Sequence, residues 1–179
     1  THCESSAASD VYKRQLRSLR KMQTGYGPQI REMLAEAENE RMHLMFFIEI
    51  AKPNAFERLL VITAQGIFMT FYLFMYIFFP MTSHRMIGYF EDEAVKSYTE
   101  YLELVESGSV MNINAPKIAI EYYGLSNKAK LSDLIRCVRE DEMHHSDVNH
   151  NYADELGSTS KANQSSELKI STENNKKVA

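Results

Sequence analysis

The chain has 179 residues, of which 44% are hydrophobic, and a formal net charge of −4. That length and apolar content suffice for one domain with a genuine core, and the net acidity argues against a nucleic-acid partner. Ten Met, seven Gly, four Pro and no Trp suit a helical protein. Cys3 and Cys137 stand alone, with no Cys-x-x-Cys spacing, which argues against a disulfide framework.

In chain order, Gly25-Tyr26-Gly27-Pro28 predicts a turn, and residues 30–50 follow as an amphipathic helix ended by Lys52-Pro53-Asn54. Residues 59–79 are almost wholly apolar, broken only by Thr63, Gln65, Gly66 and Thr70. Hydropathy alone favours a membrane span there. Pro80 ends that stretch, and the next helix runs from His84 or Met86 to Glu106, with Glu91, Ala94, Tyr98 and Tyr101 or Leu102 on one stripe. Residues 108–116 predict a loop, and a short helix reaches Tyr123-Gly124. A last long helix covers 131–156. The tail, residues 157–179, is rich in Ser, Asn, Lys and Glu, has too few apolar side chains to fold alone, and is expected to be disordered.

Two Glu-x-x-His pairs, Glu40 to His43 and Glu142 to His145, lie on two of these helices, with the acidic cluster Glu91-Asp92-Glu93 between them. Three residues on a helix are about 300° of rotation and one turn of rise, so each carboxylate and its imidazole point the same way. Repeated on two helices, with carboxylates from others, this is the ligand pattern of a di-iron carboxylate site in a four-helix bundle. Carboxylates and imidazoles without thiolates suit iron or manganese better than zinc. His144 points about 100° away from its neighbour and is expected on the surface.

The segments around these residues resemble one family. Glu36-Ala37-Glu38-Asn39-Glu40-Arg41-Met42-His43-Leu44-Met45 is similar to the first Glu-x-x-His box of the alternative oxidases, di-iron quinol oxidases of branched respiratory chains. Three further blocks agree in order: His84-Arg85-Met86-Ile87-Gly88-Tyr89-Phe90-Glu91-Asp92-Glu93-Ala94-Val95, Asn114-Ala115-Pro116-Lys117-Ile118-Ala119-Ile120, and Arg139-Glu140-Asp141-Glu142-Met143-His144-His145-Ser146-Asp147-Val148-Asn149-His150. The resemblance covers residues 16–156.

It implies an all-α, ferritin-like di-iron four-helix bundle with a membrane-associated apolar helix. It also reverses the hydropathy reading: residues 59–79 would lie on one leaflet of a bilayer as a monotopic anchor. By matching positions it implies Glu40, His43, Glu142 and His145 as ligands to two iron ions, with Glu91 as a bridging carboxylate. Asn39, His84 and Asp141 match positions that orient ligands, and Tyr98 matches a redox tyrosine near the metals. Glu93, Ala94 and Ser97 match the quinol pocket, Ser97 standing for a commoner Thr, and Tyr123 stands where a Trp is often found. The implied reaction is reduction of dioxygen to water by two ubiquinols, without proton pumping. A homodimer is expected. The Asn39-to-His43 wording resembles the mitochondrial branch, which implies the mitochondrial inner membrane, with a bacterial plasma membrane as the alternative.

The start of the chain departs from this pattern. Ser5 to Gln15 resembles an in-frame translation of a sequencing-library adapter, so residues 1–15 are expected to be of non-native origin, and no leader is legible there. Family-like sequence resumes at Leu16-Arg17-Ser18-Leu19-Arg20-Lys21-Met22. In the family the first Glu ligand lies about four turns upstream of this phrase, so the first bundle helix is expected to be largely missing, together with an arginine used against the quinol head. Three carboxylates against two ferrous ions leave excess charge in a low-dielectric bundle, which predicts weakened iron binding unless Glu4 substitutes. Two competing readings follow: a catalytically inactive membrane-docking fragment, and a soluble iron store or hydroxylase. The apolar helix argues against the second.

Overall fold

The structure, a computed structural model, describes residues 8, 9, 11–16 and 27–177, with side chains as far as residue 161. Cys3, Glu4 and the Gly25-Tyr26 part of the predicted turn lie outside the described residues. The continuous part is built from helices α1 (Gly27–Ala51), α2 (Ala55–Phe78), α3 (Pro80–Glu106), α4 (Lys117–Tyr123) and α5 (Leu131–Lys177). Residues 8, 9 and 11–16 are helical as well.

Pro28 sits in the first turn of α1, where its missing N–H leaves no hydrogen bond unmade. The inward side of α1 carries Met33, Glu36, Glu40, His43 and Phe46, steps of three and four residues that keep to one face. The middle of that stripe is charged where an ordinary core would be apolar. Lys52 ends the helix in the left-handed region, φ 48°, and Pro53 forbids its continuation. Asn54 then caps α2 reciprocally with Glu57: the Asn54 side chain accepts from the Phe56 and Glu57 N–H groups at 2.9 and 3.1 Å, and Glu57 accepts from the Asn54 N–H at 2.8 Å.

Helix α2 buries only a thin strip. Tyr72 and Tyr76, one turn apart, are wholly enclosed and pack with Phe68, Met86 and Ile87. Phe56, Ile62, Ile67, Phe74 and Phe78 are exposed. The next helix begins at Pro80, several residues before the expected start at His84 or Met86. Proline at the first helical position both ends one helix and opens the next, because its fixed φ suits the new helix and its absent N–H is not needed there. Ser83 closes the corner by donating from Oγ to the Phe79 carbonyl at 3.0 Å.

Among the described residues, helices α3 and α5 form the most extensive pairing. Between them, Ala115 N–H donates to Ala129 O and Leu131 N–H to Ile113 O, each at 2.9 Å, which ties the two ends of the loop and α4 together. Gly124, φ 64°, supplies the left-handed turn that stops α4. Met42, Phe46, Ala115, Ala119, Leu134 and Val138 make the core beneath α4. Past Leu156, α5 continues through the polar tail to Lys177, and residues 158–161 are exposed. Propagation needs only one backbone bond per residue once a helix exists, so this extension does not require the apolar face that the tail lacks.

The amino-terminal helical residues pack on the bundle. Val11 joins Met33 and Tyr152 in a small cluster, Ser9 Oγ donates to Met69 O at 3.0 Å, and the Arg14 guanidinium lies 5.2 Å from the Tyr152 ring centroid.

Candidate metal centre

Three helices meet at one buried cluster: Glu40 and His43 from α1, Glu91 from α3, and Glu142 and His145 from α5. Each is no more than 4% exposed. Ligand atoms of Glu40, Glu91, Glu142 and His145 lie within 4.8 Å of one another. His43 completes the group, its Nδ1 3.4 Å from Glu40 Oε1 and 3.3 Å from Glu142 Oε1. His145 Nδ1 lies 3.1 Å from the same Glu40 oxygen. All five side chains picked out by spacing and resemblance are therefore brought together, although up to about a hundred residues of chain separate them.

Burying three carboxylates is costly unless positive charge accompanies them. The electrostatics register that demand. Burial works against the charged form of His43, yet the carboxylates of Asp141, Glu142 and Glu40 push its pKa up to about 11. His145 is raised in the same way, chiefly by Glu40 against the opposing effect of burial. Burial would raise Glu40, but His145 and His43 hold it well below the usual carboxylate range.

The residues fit a metal. Nδ1 of His43 and of His145 is buried and makes no hydrogen bond, because both rings turn that atom toward the carboxylate cluster in poor donor geometry. Carboxylate oxygens with imidazole nitrogens are the donor set expected for divalent iron or manganese.

A polar frame holds the rings in this orientation. His43 Nε2 faces Asp141 Oδ2 at 3.1 Å and the Tyr123 hydroxyl at 3.0 Å. Asp141 Oδ2 also accepts from the Tyr123 hydroxyl at 2.5 Å and from Asn39 Nδ2 at 2.8 Å. These bonds occupy Nε2 and leave Nδ1 as the ligand atom. Asp141 is lowered: burial opposes ionisation, but the bonds from His43, Tyr123 and Asn39 outweigh it. Thus Asn39 and Asp141 reach the buried His43 imidazole, Asp141 directly and Asn39 through it.

His84 reaches the centre at one further remove. Its Nδ1 lies 2.9 Å from Asn149 Oδ1, and Asn149 Nδ2 donates to the His145 carbonyl at 3.0 Å and to Glu36 at 3.2 Å. Glu36 and Asn149 are both buried, and sequence reasoning gave neither a role. The signal was available: Glu36 precedes Glu40 by four residues and Asn149 follows His145 by four, so both continue the inward stripe of a ligand.

Tyr98 stacks on Phe47 with ring centroids 5.8 Å apart. Burial, and then the negative fields of Glu142, Glu40 and Glu91, push its pKa up and keep the phenol protonated. Glu93 and Ser97 are exposed on α3, Ala94 is half-buried, and Ser97 Oγ donates back to the Glu93 carbonyl at 2.8 Å. The structure does not gather these three around the carboxylate cluster. His144 is exposed, as its 100° offset requires. Cys137 is half-buried, and burial and neighbouring carboxylates push its thiol up. A cavity of about 240 Å³ between α1 and α5, lined by Glu32, Glu36, Asn39, Tyr122, Asp141 and His145 among others, approaches the centre from the side.

The comparisons with known proteins agree with this geometry. The profile of the family described as alternative oxidase matches residues 7–154. The chain is 53% identical over 135 residues to "Ubiquinol oxidase 2, mitochondrial" of Glycine max, covering 75% of this chain and 40% of the relative. It is 50% identical over 135 residues to "Ubiquinol oxidase, mitochondrial" of Mangifera indica, covering 75% and 42%. It is also 50% identical over 140 residues to "Ubiquinol oxidase 1c, mitochondrial" of Arabidopsis thaliana, covering 78% and 42%. The chain thus spans about two fifths of the length of these curated relatives. Since the profile runs unbroken across all three helices that supply the buried carboxylates and imidazoles, the chain belongs to the alternative oxidase family.

Proposed function

We propose that this chain carries the ligand-bearing core of a ubiquinol oxidase, which reduces dioxygen to water with electrons from two ubiquinols in the mitochondrial inner membrane. The observation that carries the reading is the convergence of Glu40, His43, Glu91, Glu142 and His145 in one buried cluster inside a chain of this family. Two iron ions would be held by the carboxylates of Glu40, Glu91 and Glu142 and the imidazoles of His43 and His145. Bound iron supplies the redox chemistry that side chains lack.

The chain's own residues do the rest. Asp141, Tyr123 and Asn39 keep His43 in one tautomer and orientation, and Asn149, backed by His84, braces the His145 turn. Tyr98, a protonated phenol beside the carboxylates, is the candidate redox residue, able to give up a proton and an electron together. Glu93, Ala94 and Ser97 would line the quinol pocket on α3. The exposed apolar side of α2 would rest in one leaflet, so the lipid-borne quinol need not leave the bilayer. Two copies would form the working unit. Within the chain, residues 16–156 would be the functional unit, preceded by a segment of non-native origin and followed by a polar tail.

The test is to load the full chain with ferrous iron and measure iron content and ubiquinol-dependent oxygen uptake. Two irons per chain with uptake abolished in Glu142→Ala supports the reading. Iron well below two per chain, with no uptake in quinol-containing vesicles, overturns it in favour of the inactive docking fragment.

A further inference from the structure

A separate recess of about 610 Å³ lies between the first turns of α3 and the middle of α5, and none of the metal-centre residues lines it. Its floor is apolar, made by Met81, Met86 and the ring of Tyr89. Gly157 on α5 leaves that floor open: a Cβ there would come within 3.2 Å of Met81 Sδ. The backbone of Gly157 is ordinary helix, so its glycine character serves space rather than conformation.

Two cations line the same recess, Arg85 and Lys161, against one carboxylate, Asp154. Arg85 is fixed from behind, paired with Asp154 and held by His150 Nδ1 at 2.7 Å. Met81, in the lining, is 46% exposed and follows closely on the exposed apolar end of α2, where Phe78 and the next residue, Phe79, are 65% and 60% exposed. An excess of positive charge over an apolar floor, opening beside an apolar helix, matches a phosphate ester attached to hydrocarbon. Arg85 is already matched by Asp154, so the excess is the one positive charge of Lys161; a neutral quinol head would leave it unbalanced, and a free anion would leave the floor bare.

We propose that this recess binds one anionic phospholipid, its phosphate between Arg85 and Lys161 and the upper part of an acyl chain over Met81, Met86 and Gly157. The proposal rests on the reading that α2 lies in a bilayer, which would bring phospholipid to the mouth of the recess. Bound there, the lipid would fix the α2–α3 corner relative to α5.

The chain has no Trp, so Tyr89→Trp installs a single fluorescent reporter in the floor. The full-length variant is titrated with dihexanoyl phosphatidylglycerol below its micelle concentration, and in parallel with dihexanoyl phosphatidylcholine and with inorganic phosphate. The expected result is a saturable emission shift with phosphatidylglycerol, weakened about tenfold by the added Lys161→Glu, as for loss of one charge-assisted contact. Gly157→Leu, which fills the floor, should weaken it comparably. Equal responses to the two lipids, indifference to Lys161→Glu, or the same shift with inorganic phosphate alone would overturn the proposal. Lys161 is exposed, so its substitution leaves the fold intact. Flotation with phosphatidylcholine vesicles reads the docking of α2 separately. Flotation without short-chain binding sinks the lipid site alone. Saturable short-chain binding without flotation sinks the docking reading and leaves the site standing.

Discussion

Asp141 Oδ2 stands 3.1 Å from His43 Nε2, a contact between residues 98 positions apart that joins the helix of one Glu-x-x-His pair to the helix of the other. Asp141 is the immediate neighbour of Glu142 in sequence but points about 100° away around α5. One helical turn therefore sends Glu142 into the carboxylate cluster and Asp141 to the back of the opposing imidazole.

Tyr123 reinforces that contact, donating to Asp141 at 2.5 Å and lying 3.0 Å from His43. Tyr123→Phe keeps the ring against Phe46 and removes only the hydroxyl. Thermal melts of the metal-free chain should show a loss of about 1.5–3 kcal/mol, the range for a hydrogen bond to a charged group. The iron dissociation constant should rise about tenfold or more, as when an outer partner of a ligand imidazole is lost. An unchanged iron affinity would show that Asp141 and Asn39 alone fix the ring.

Asn149 joins three groups at zero exposure: His84, Glu36 and the carbonyl of His145 on its own helix. Asn149→Leu keeps the branched four-atom side chain and removes every one of these bonds, so chemical denaturation should report a loss of about 3 kcal/mol, near the upper end for a buried polar group left without partners. Asn149→Asp keeps the shape but sets a second carboxylate against Glu36, and at neutral pH should be at least as damaging.

Gly88 lets α3 approach α5. A Cβ at this position would lie 2.7 Å from the His150 ring, which is itself held by Arg85 and by Asp92 at 3.2 Å. Gly88→Ala should therefore destabilise the fold by about 1–2 kcal/mol from overpacking, despite the better helix propensity of alanine. In the His150→Ala background the same change should become neutral or stabilising. A double-mutant cycle with no coupling between the two positions would contradict the clash.

The adjacent histidines of α5 make a matched control. His144 is exposed and His145 is buried against Glu40. His144→Ala should leave iron content and melting temperature unchanged within error. His145→Ala should abolish full iron loading, and the addition of ferrous iron should then no longer raise the melting temperature by mass action. Similar iron loading in both variants would remove His145 from the ligand set.

The carboxylates and imidazoles of the buried cluster were legible because a helix has a fixed period. Glu40 with His43 and Glu142 with His145 needed only a spacing of three, and Glu91 only the resemblance of its block. Helix starts were less legible: Pro80 reads equally as an end and a beginning, and the corner at Ser83 shows that it is both. Glu36 and Asn149 escaped notice for a different reason. Each is an ordinary polar side chain on a helix until the facing helix shows it buried, and burial belongs to the packing of two elements rather than to either alone. Glu93, Ala94 and Ser97, expected at a quinol pocket, came from resemblance alone; Glu93 and Ser97 are exposed on α3 and Ala94 is half-buried.

By itself the sequence determined that the chain is helical, that one helix is apolar nearly all round, and that two helices each present a carboxylate and an imidazole on one side. Those properties follow from local periodicity and composition, which need no partner. Tertiary structure decided which sides meet. It set His43 against Asp141 and Tyr123, put Asn149 between His84 and His145, left α2 with a single buried strip at Tyr72 and Tyr76, and opened a recess between Met81 and Gly157. The reason is physical: distances between residues far apart in the chain are set by how side-chain volumes fill the space between helices, and no local rule of spacing contains that information.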